Sequence, residues 1–187
     1  MSNQAKQLVT QLVWSGFFSS LEIMEIVLDE FEPGLHQSED QVTLALSQVV
    51  VQQRRAKSRA QENWPPVTDC DKLEGAFSQL NQAGIIALHN VGYSQAQGLE
   101  EVNAEYLSRR DPLRGYCFYH FEDVARALQG QGLYLFYGSH DEQVEGVEQI
   151  GRELREAFQN AGFQVVWNGK ANKRLLLHPF HWQRWSV

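Results

Sequence analysis

The sequence predicts an α+β protein: an N-terminal helical module, then a mixed, mainly antiparallel sheet of about five short strands with helices packed on it. Two observations predict this. Before position 63, apolar residues recur at helical spacing behind serine capping signals, and after position 67 short strand-like runs are mostly separated by helical segments. The proline pair in Trp64-Pro65-Pro66 divides the two regions, since neither proline donates a backbone hydrogen bond or leaves φ free. The expected organisation is therefore a helical module over 1–63 and an α+β domain over 67–187, possible also as one continuous unit.

Residues 4–14 place Leu8, Leu12 and Val13 on one helical face, and Gly16 interrupts. Ser19-x-x-Glu22 reads as a capping box opening a second helix, with Leu21, Met24, Val27, Leu28 and Phe31 inward and Pro33-Gly34 as its stop. Ser38-x-x-Gln41 opens a third, with Val42, Ala45, Leu46, Val49 and Ala56 on its inner stripe. Its basic end, Arg54 to Arg59, is expected to be a solvated last turn, where cations complement the helix dipole.

In the second region, Thr68-x-x-Asp71 caps a helix carrying Leu73, Ala76, Phe77 and Leu80, and a strand over 85–91 follows Gly84. A helix over 99–107 comes next, then a loop over 109–114 containing Pro112. The strand over 116–120 precedes a short helix over 122–128, and Gly130-Gln131-Gly132 leads into a strand over 133–137. The clearest helix spans 142–161, with Val147, Ile150, Leu154, Phe158 and Ala161 on one face. Runs over 163–167 and 173–178 read as a hairpin around Asn168-Gly169.

Composition excludes several classes. The 187 residues are 43% hydrophobic with a net charge of −7, so the chain is ordinary globular protein and a poor non-specific binder of polyanions. Two cysteines make no disulfide framework, and no apolar run approaches a membrane span. The first residues lack a signal-peptide pattern, so a cytoplasmic location is expected. No metal set, phosphate loop or nucleophile elbow is legible, and neither cofactor nor metal is expected.

The candidate site residues fall in two places. Asp69 and Asp71 flank Cys70 at a helix start. Capping explains that position, and two full negative charges beside the thiol outweigh the half-charge of the helix end, so Cys70 is expected to be unreactive. The stretch from Arg114 to Phe121 matches much of an RNA-recognition strand signature but departs from it at Cys117 and Tyr119. Strand alternation puts Tyr116, Phe118 and His120 on one face, which Tyr134 and Phe136 can share. That face is either core beneath helices or an aromatic-lined pocket with His120 and Asp123 as its polar groups. The tail Phe180-His181-Trp182-Gln183-Arg184-Trp185 is expected to pack within the chain or against a second copy.

Several segments together are similar to a known family. They are Val13-Trp14-Ser15-Gly16-Phe17, Thr68-Asp69-Cys70-Asp71-Lys72-Leu73, Arg114-Gly115-Tyr116, Gly132-Leu133-Tyr134-Leu135 and Ile150-Gly151-Arg152-Glu153. In this order they resemble an uncharacterised bacterial protein family, a domain of unknown function (DUF6891). The resemblance implies a soluble bacterial protein and supplies no activity. The family often carries a cysteine-rich turn after its Gly-Ile strand; here 91–98 contains no cysteine, so any metal role of that turn is lost.

The leading expectation is a non-enzymatic binding or regulatory protein, monomer or homodimer, acting through protein contacts or a small ligand. The alternative is a small enzyme with a His120-centred acid/base pocket, assisted by Asp123 or Tyr116, which requires a pocket at His120 open to solvent. The third is single-stranded nucleic-acid binding through Tyr116 and Phe118, which the charge disfavours.

Overall fold

A computed structural model describes residues 1–31, 38–109, 112–141 and 143–186, with Glu39 described by its backbone only. The expected stop at Pro33-Gly34 lies outside the described residues, as do positions 110, 111 and 142. Two compact units emerge: Met1–Thr68 with Gln183–Val187, and Asp69–Trp182. The tail thus divides after Trp182, whereas the sequence assigns all of it to the second region.

The first unit holds α1 (Asn3–Ser15), α2 (Ser20–Glu30) and α3 (Glu39–Gln61). Each opens on a serine whose hydroxyl accepts from a backbone N–H three residues on: Ser2 from Ala5, Ser19 from Glu22, Ser38 from Gln41. At Ser19 the box is reciprocal, since the Glu22 carboxylate accepts from the Ser19 N–H at 2.7 Å. On α1, Ala5, Val9, Leu12 and Val13 are buried.

The inner stripes of α2 and α3 differ from the expectation. Ile23 and Val27 are buried on α2, and Leu21 is 67% exposed. On α3 the buried positions are Leu46, Val50 and Lys57. Eleven residues complete almost a whole number of turns, so Lys57 returns to the azimuth of Leu46, which Ala56 misses by most of a quadrant.

The basic end of α3 is correspondingly only half solvated. Lys57 is fully buried and donates to the Val13 carbonyl at 3.2 Å, and an Arg54 guanidinium nitrogen donates to the Phe18 carbonyl. Both cations serve carbonyls at or just past the end of α1, where the helix leaves acceptors unmet and its dipole favours positive charge. Gly16 makes this approach possible: it is left-handed at φ 82°, and a Cβ there would stand 3.0 Å from the Lys57 Nζ. The Arg184 guanidinium lies 4.3 Å over the Phe17 ring, and Trp185 meets Trp64 at 5.1 Å.

The second unit contains α4 (Asp69–Gln82), β1 (Ile85–Leu88), α5 (Gln95–Ser108), β2 (Gly115–Phe118), α6 (Phe121–Leu128), β3 (Leu133–Ser139), α7 (Val144–Asn160), β4 (Val165–Val166) and β5 (Leu175–Leu177). The sheet runs β1-β2-β3-β5-β4; β1 and β2 are parallel and every other pair is antiparallel. This is the mixed, mainly antiparallel five-stranded sheet of an α+β fold. Strand β1 stops short of Val91 because Asn90 adopts φ 51° and Gly92 φ 65°, which no extended strand accommodates. The hairpin around Asn168-Gly169 is present, β4 and β5 pairing antiparallel, but its strands are shorter and the connecting loop spans 167–174, where the Trp167 indole donates to the Tyr137 hydroxyl at 3.0 Å.

Alternation along β2 and β3 sorts the sheet's faces. Tyr116, Phe118 and Phe136 face α5, where they pack with Ile86, Val102 and Leu99. A Cβ on Gly98 would overlap the Phe118 ring, so α5 sits against the sheet only because that position is glycine. On the opposite face, Gly115 lies beneath Ile150 of α7, and Phe77 of α4 meets Phe158 of α7 at 6.1 Å.

Candidate functional site

The residues singled out in the sequence come together unequally. Asp123 sits in the first turn of α6 and is fully buried. Its carboxylate accepts from three donors: the His120 backbone N–H at 3.3 Å, Arg126 at 3.1 Å and Arg174 at 2.6 Å. A buried carboxylate needs such partners, because desolvation otherwise disfavours its charge. Arg174 arrives from the β4–β5 loop, its Cζ 3.6 Å from the Phe136 ring centroid and 5.3 Å from that of Tyr134. Burial pushes the Arg174 guanidinium below its usual range, opposed by the hydrogen bond and charge of Asp123.

His120 is enclosed, with 4% of its surface exposed. Its Nδ1 lies 3.3 Å from Asp123 Oδ2 yet makes no hydrogen bond, and its ring meets Phe136 at 5.4 Å. Burial lowers its pKa; Asp123 pulls upward and Arg174 downward, and the imidazole is neutral at pH 7. Tyr116 stacks on Phe118 at 6.1 Å and Phe118 on Phe136 at 5.3 Å, so one aromatic ladder crosses β2 and β3. Phe118 has no exposed surface and Tyr116 is half-buried. Tyr134, beside the Arg174 guanidinium, is half-buried and reaches a cavity.

That cavity, about 470 Å³, is lined by Arg126, Gln131, Tyr134, Asn172, Lys173 and Arg174. Its lining has three cations, two carboxamides and a phenol, and no carboxylate. Asp123 and His120 lie beneath this wall. Lys173 is exposed and makes no side-chain hydrogen bond or ion pair among the described residues. Sequence reading missed Arg126, Lys173 and Arg174. The available signal was the Asn172-Lys173-Arg174 run beside a strand in an acidic chain.

Asp69 and Asp71 stand elsewhere. Asp69 accepts from Lys72 Nζ and from the His181 backbone N–H, each at 3.0 Å, and so fixes the C-terminal segment to the start of α4. Burial works to raise its pKa, but those donors outweigh it and hold the carboxyl below the usual range. Asp71 is exposed on the same turn, and Cys70 between them is buried. Among the described residues, no three His, Cys, Asp or Glu side chains converge as a metal would require.

A second cavity, about 500 Å³, borders the free edge of β1, lined by Glu74, Phe77, Ser78, Asn81, Gln82, Ala87, His89 and Arg109. His89 stacks on Phe77 at 4.3 Å, its Nδ1 lies 2.8 Å from the Tyr119 hydroxyl, and its Nε2 lies 3.5 Å from Glu74. Its opening charges, Glu74 and Arg109, are of opposite sign. Asn81 covers the strand edge: its carboxamide accepts from the Ala87 N–H and donates to the Ala87 carbonyl, as a neighbouring strand would.

Among the described residues, no helix is long and apolar enough to cross a membrane. No curated protein and no solved structure matches the chain. One family model does, a domain of unknown function, over residues 1–186, and its span takes in both compact units and every residue of the cavities described above. The chain belongs to this family, DUF6891.

Proposed function

We propose that this chain is a non-enzymatic binding or regulatory protein whose ligand is a small oxyanion, a phosphate or carboxylate, held in the cavity of Arg126, Lys173 and Arg174. The observation that carries the reading is a cavity wall with three cations and no carboxylate in a chain of net charge −7. Buried Asp123 pre-orients two of those cations without facing the ligand, and the ligand then meets donors whose geometry is already fixed. The enclosed His120 acts as packing for this wall rather than as an acid or base. Fully buried Phe118 offers no face to a stacked base, and single-stranded nucleic acid is not a partner. The protein is bacterial and cytoplasmic, a monomer or homodimer.

The test is a titration of the protein with inorganic phosphate at low ionic strength, followed by the backbone amide resonances of 172–174. Saturable shifts at millimolar phosphate are expected, weakened several-fold by Lys173→Gln and by added salt. Lys173 is exposed and makes no side-chain pair among the described residues, so its substitution leaves the fold intact. Absence of saturable shifts, or equal shifts in the variant, overturns the reading.

A further inference from the structure

Resting on the oxyanion reading of the same cavity, we propose that its ligand is a free nucleoside monophosphate, its phosphate on the Arg126–Lys173–Arg174 wall and its base against Tyr134. Two features besides charge select this class. First, the wall carries a half-buried aromatic ring, Tyr134, against which a planar base packs beside the Arg174 guanidinium, whose Cζ lies 5.3 Å from the ring centroid. Second, Asn172 supplies a carboxamide that can donate to and accept from a base edge, and Gln131, whose Nε2 donates to Gln129 at 3.2 Å, adds an acceptor oxygen. A volume of about 470 Å³ accommodates one such molecule. A bare phosphate would use neither the outer face of the ring nor the Asn172 amide. A polymer is disfavoured by the net charge of −7, which repels the remaining phosphates.

The experiment compares binding of inorganic phosphate, ribose 5-phosphate, adenosine 5′-monophosphate, adenosine and a 5′-phosphorylated oligonucleotide to the full chain by calorimetry. The monophosphate is expected to bind about 10-fold tighter than ribose 5-phosphate, the increment a stacked base supplies, and Tyr134→Leu is expected to remove that increment while ribose 5-phosphate binding persists. Should the variant fail to fold, ligand-induced shifts of the Tyr134 ring carbons in the unaltered chain replace it, and an unmoved ring overturns the proposal. Equal binding of all three phosphates overturns the nucleotide assignment and leaves the oxyanion reading standing. Adenosine binding as tightly as its monophosphate overturns both, as does binding of none. An oligonucleotide that binds tighter than the free monophosphate overturns the choice of a free ligand.

Discussion

Replacing Asp123 by Asn removes a charge from beneath the cavity wall while keeping the side chain's shape. Three donors converge on that carboxylate, at 2.6, 3.1 and 3.3 Å. The Arg174 bond joins a fully buried acid to a side chain 25% exposed, and a hydrogen bond of that kind contributes about 1.5–3 kcal/mol. Arg126 is 41% exposed, and solvent holds its share below about 1 kcal/mol. The His120 N–H adds about 1 kcal/mol. Asparagine keeps one acceptor but turns an NH2 toward a guanidinium, so the net loss is about 3 kcal/mol, a fall in melting temperature of roughly 6–12 °C for a chain this size. Calorimetric melting and urea titration read both quantities. Arg174→Met, with its thioether left over Phe136, should be costly singly yet cost little more in the Asp123→Asn background, a coupling of about 2 kcal/mol. A loss under 1 kcal/mol, or additivity of the two substitutions, would refute the account of Asp123 as the anchor of Arg174.

Gly98→Ala drives a methyl into the Phe118 ring and should cost about 2 kcal/mol, whereas Gly75→Ala on α4, where a Cβ meets nothing within 4 Å, should gain about 0.5–1 kcal/mol; paired thermal melts check the contrast. Asn81→Ala strips three hydrogen bonds at Ala87 and Phe77, costing about 2 kcal/mol, and bares the β1 edge, so light scattering on warming should rise. His120, buried and neutral, has a pKa depressed from 6.5, so the unfolded chain binds a proton the folded one refuses: its contribution is complete above pH 6.5 and declines as pH falls toward the folded value. Urea midpoints between pH 7 and 5 should show that slope, and His120→Gln should flatten it; an unchanged slope would assign the titration to another group.

Much of the fold was legible because its signals are local. Serine caps at 19 and 38, glycine stops at 16 and 84, and period-two alternation in β2 and β3 each act within a few residues. What escaped was decided at long range. Lys57 reads as a surface cation until the end of α1 supplies its acceptor, and Trp167 reads as strand until Tyr137 turns its indole outward. The site divides the same way. His120, Asp123 and the aromatics from Tyr116 to Tyr134 lie within nineteen positions, and all but Asp123 share a face by strand alternation, so sequence collected them. The partner that gives Asp123 its role, Arg174, lies 51 residues away and is brought in by β5 pairing with β3; its local run marks a basic loop and not the carboxylate it meets.

The packing of Arg184 on Phe17 and of Trp185 on Trp64 bears on the order of synthesis. A ribosome releases α1, α2 and α3 first, yet the unit they belong to takes its last ring and its last cation from residues translated after the whole sheet. The earliest helices therefore wait, with the left-handed turn at Gly16 lacking the strand of chain that lies against it. Arg184 and Trp185 act as a seal on helices made long before them, and nascent chains stalled before Gln183 should show a proteolytically open helical unit until that seal is made.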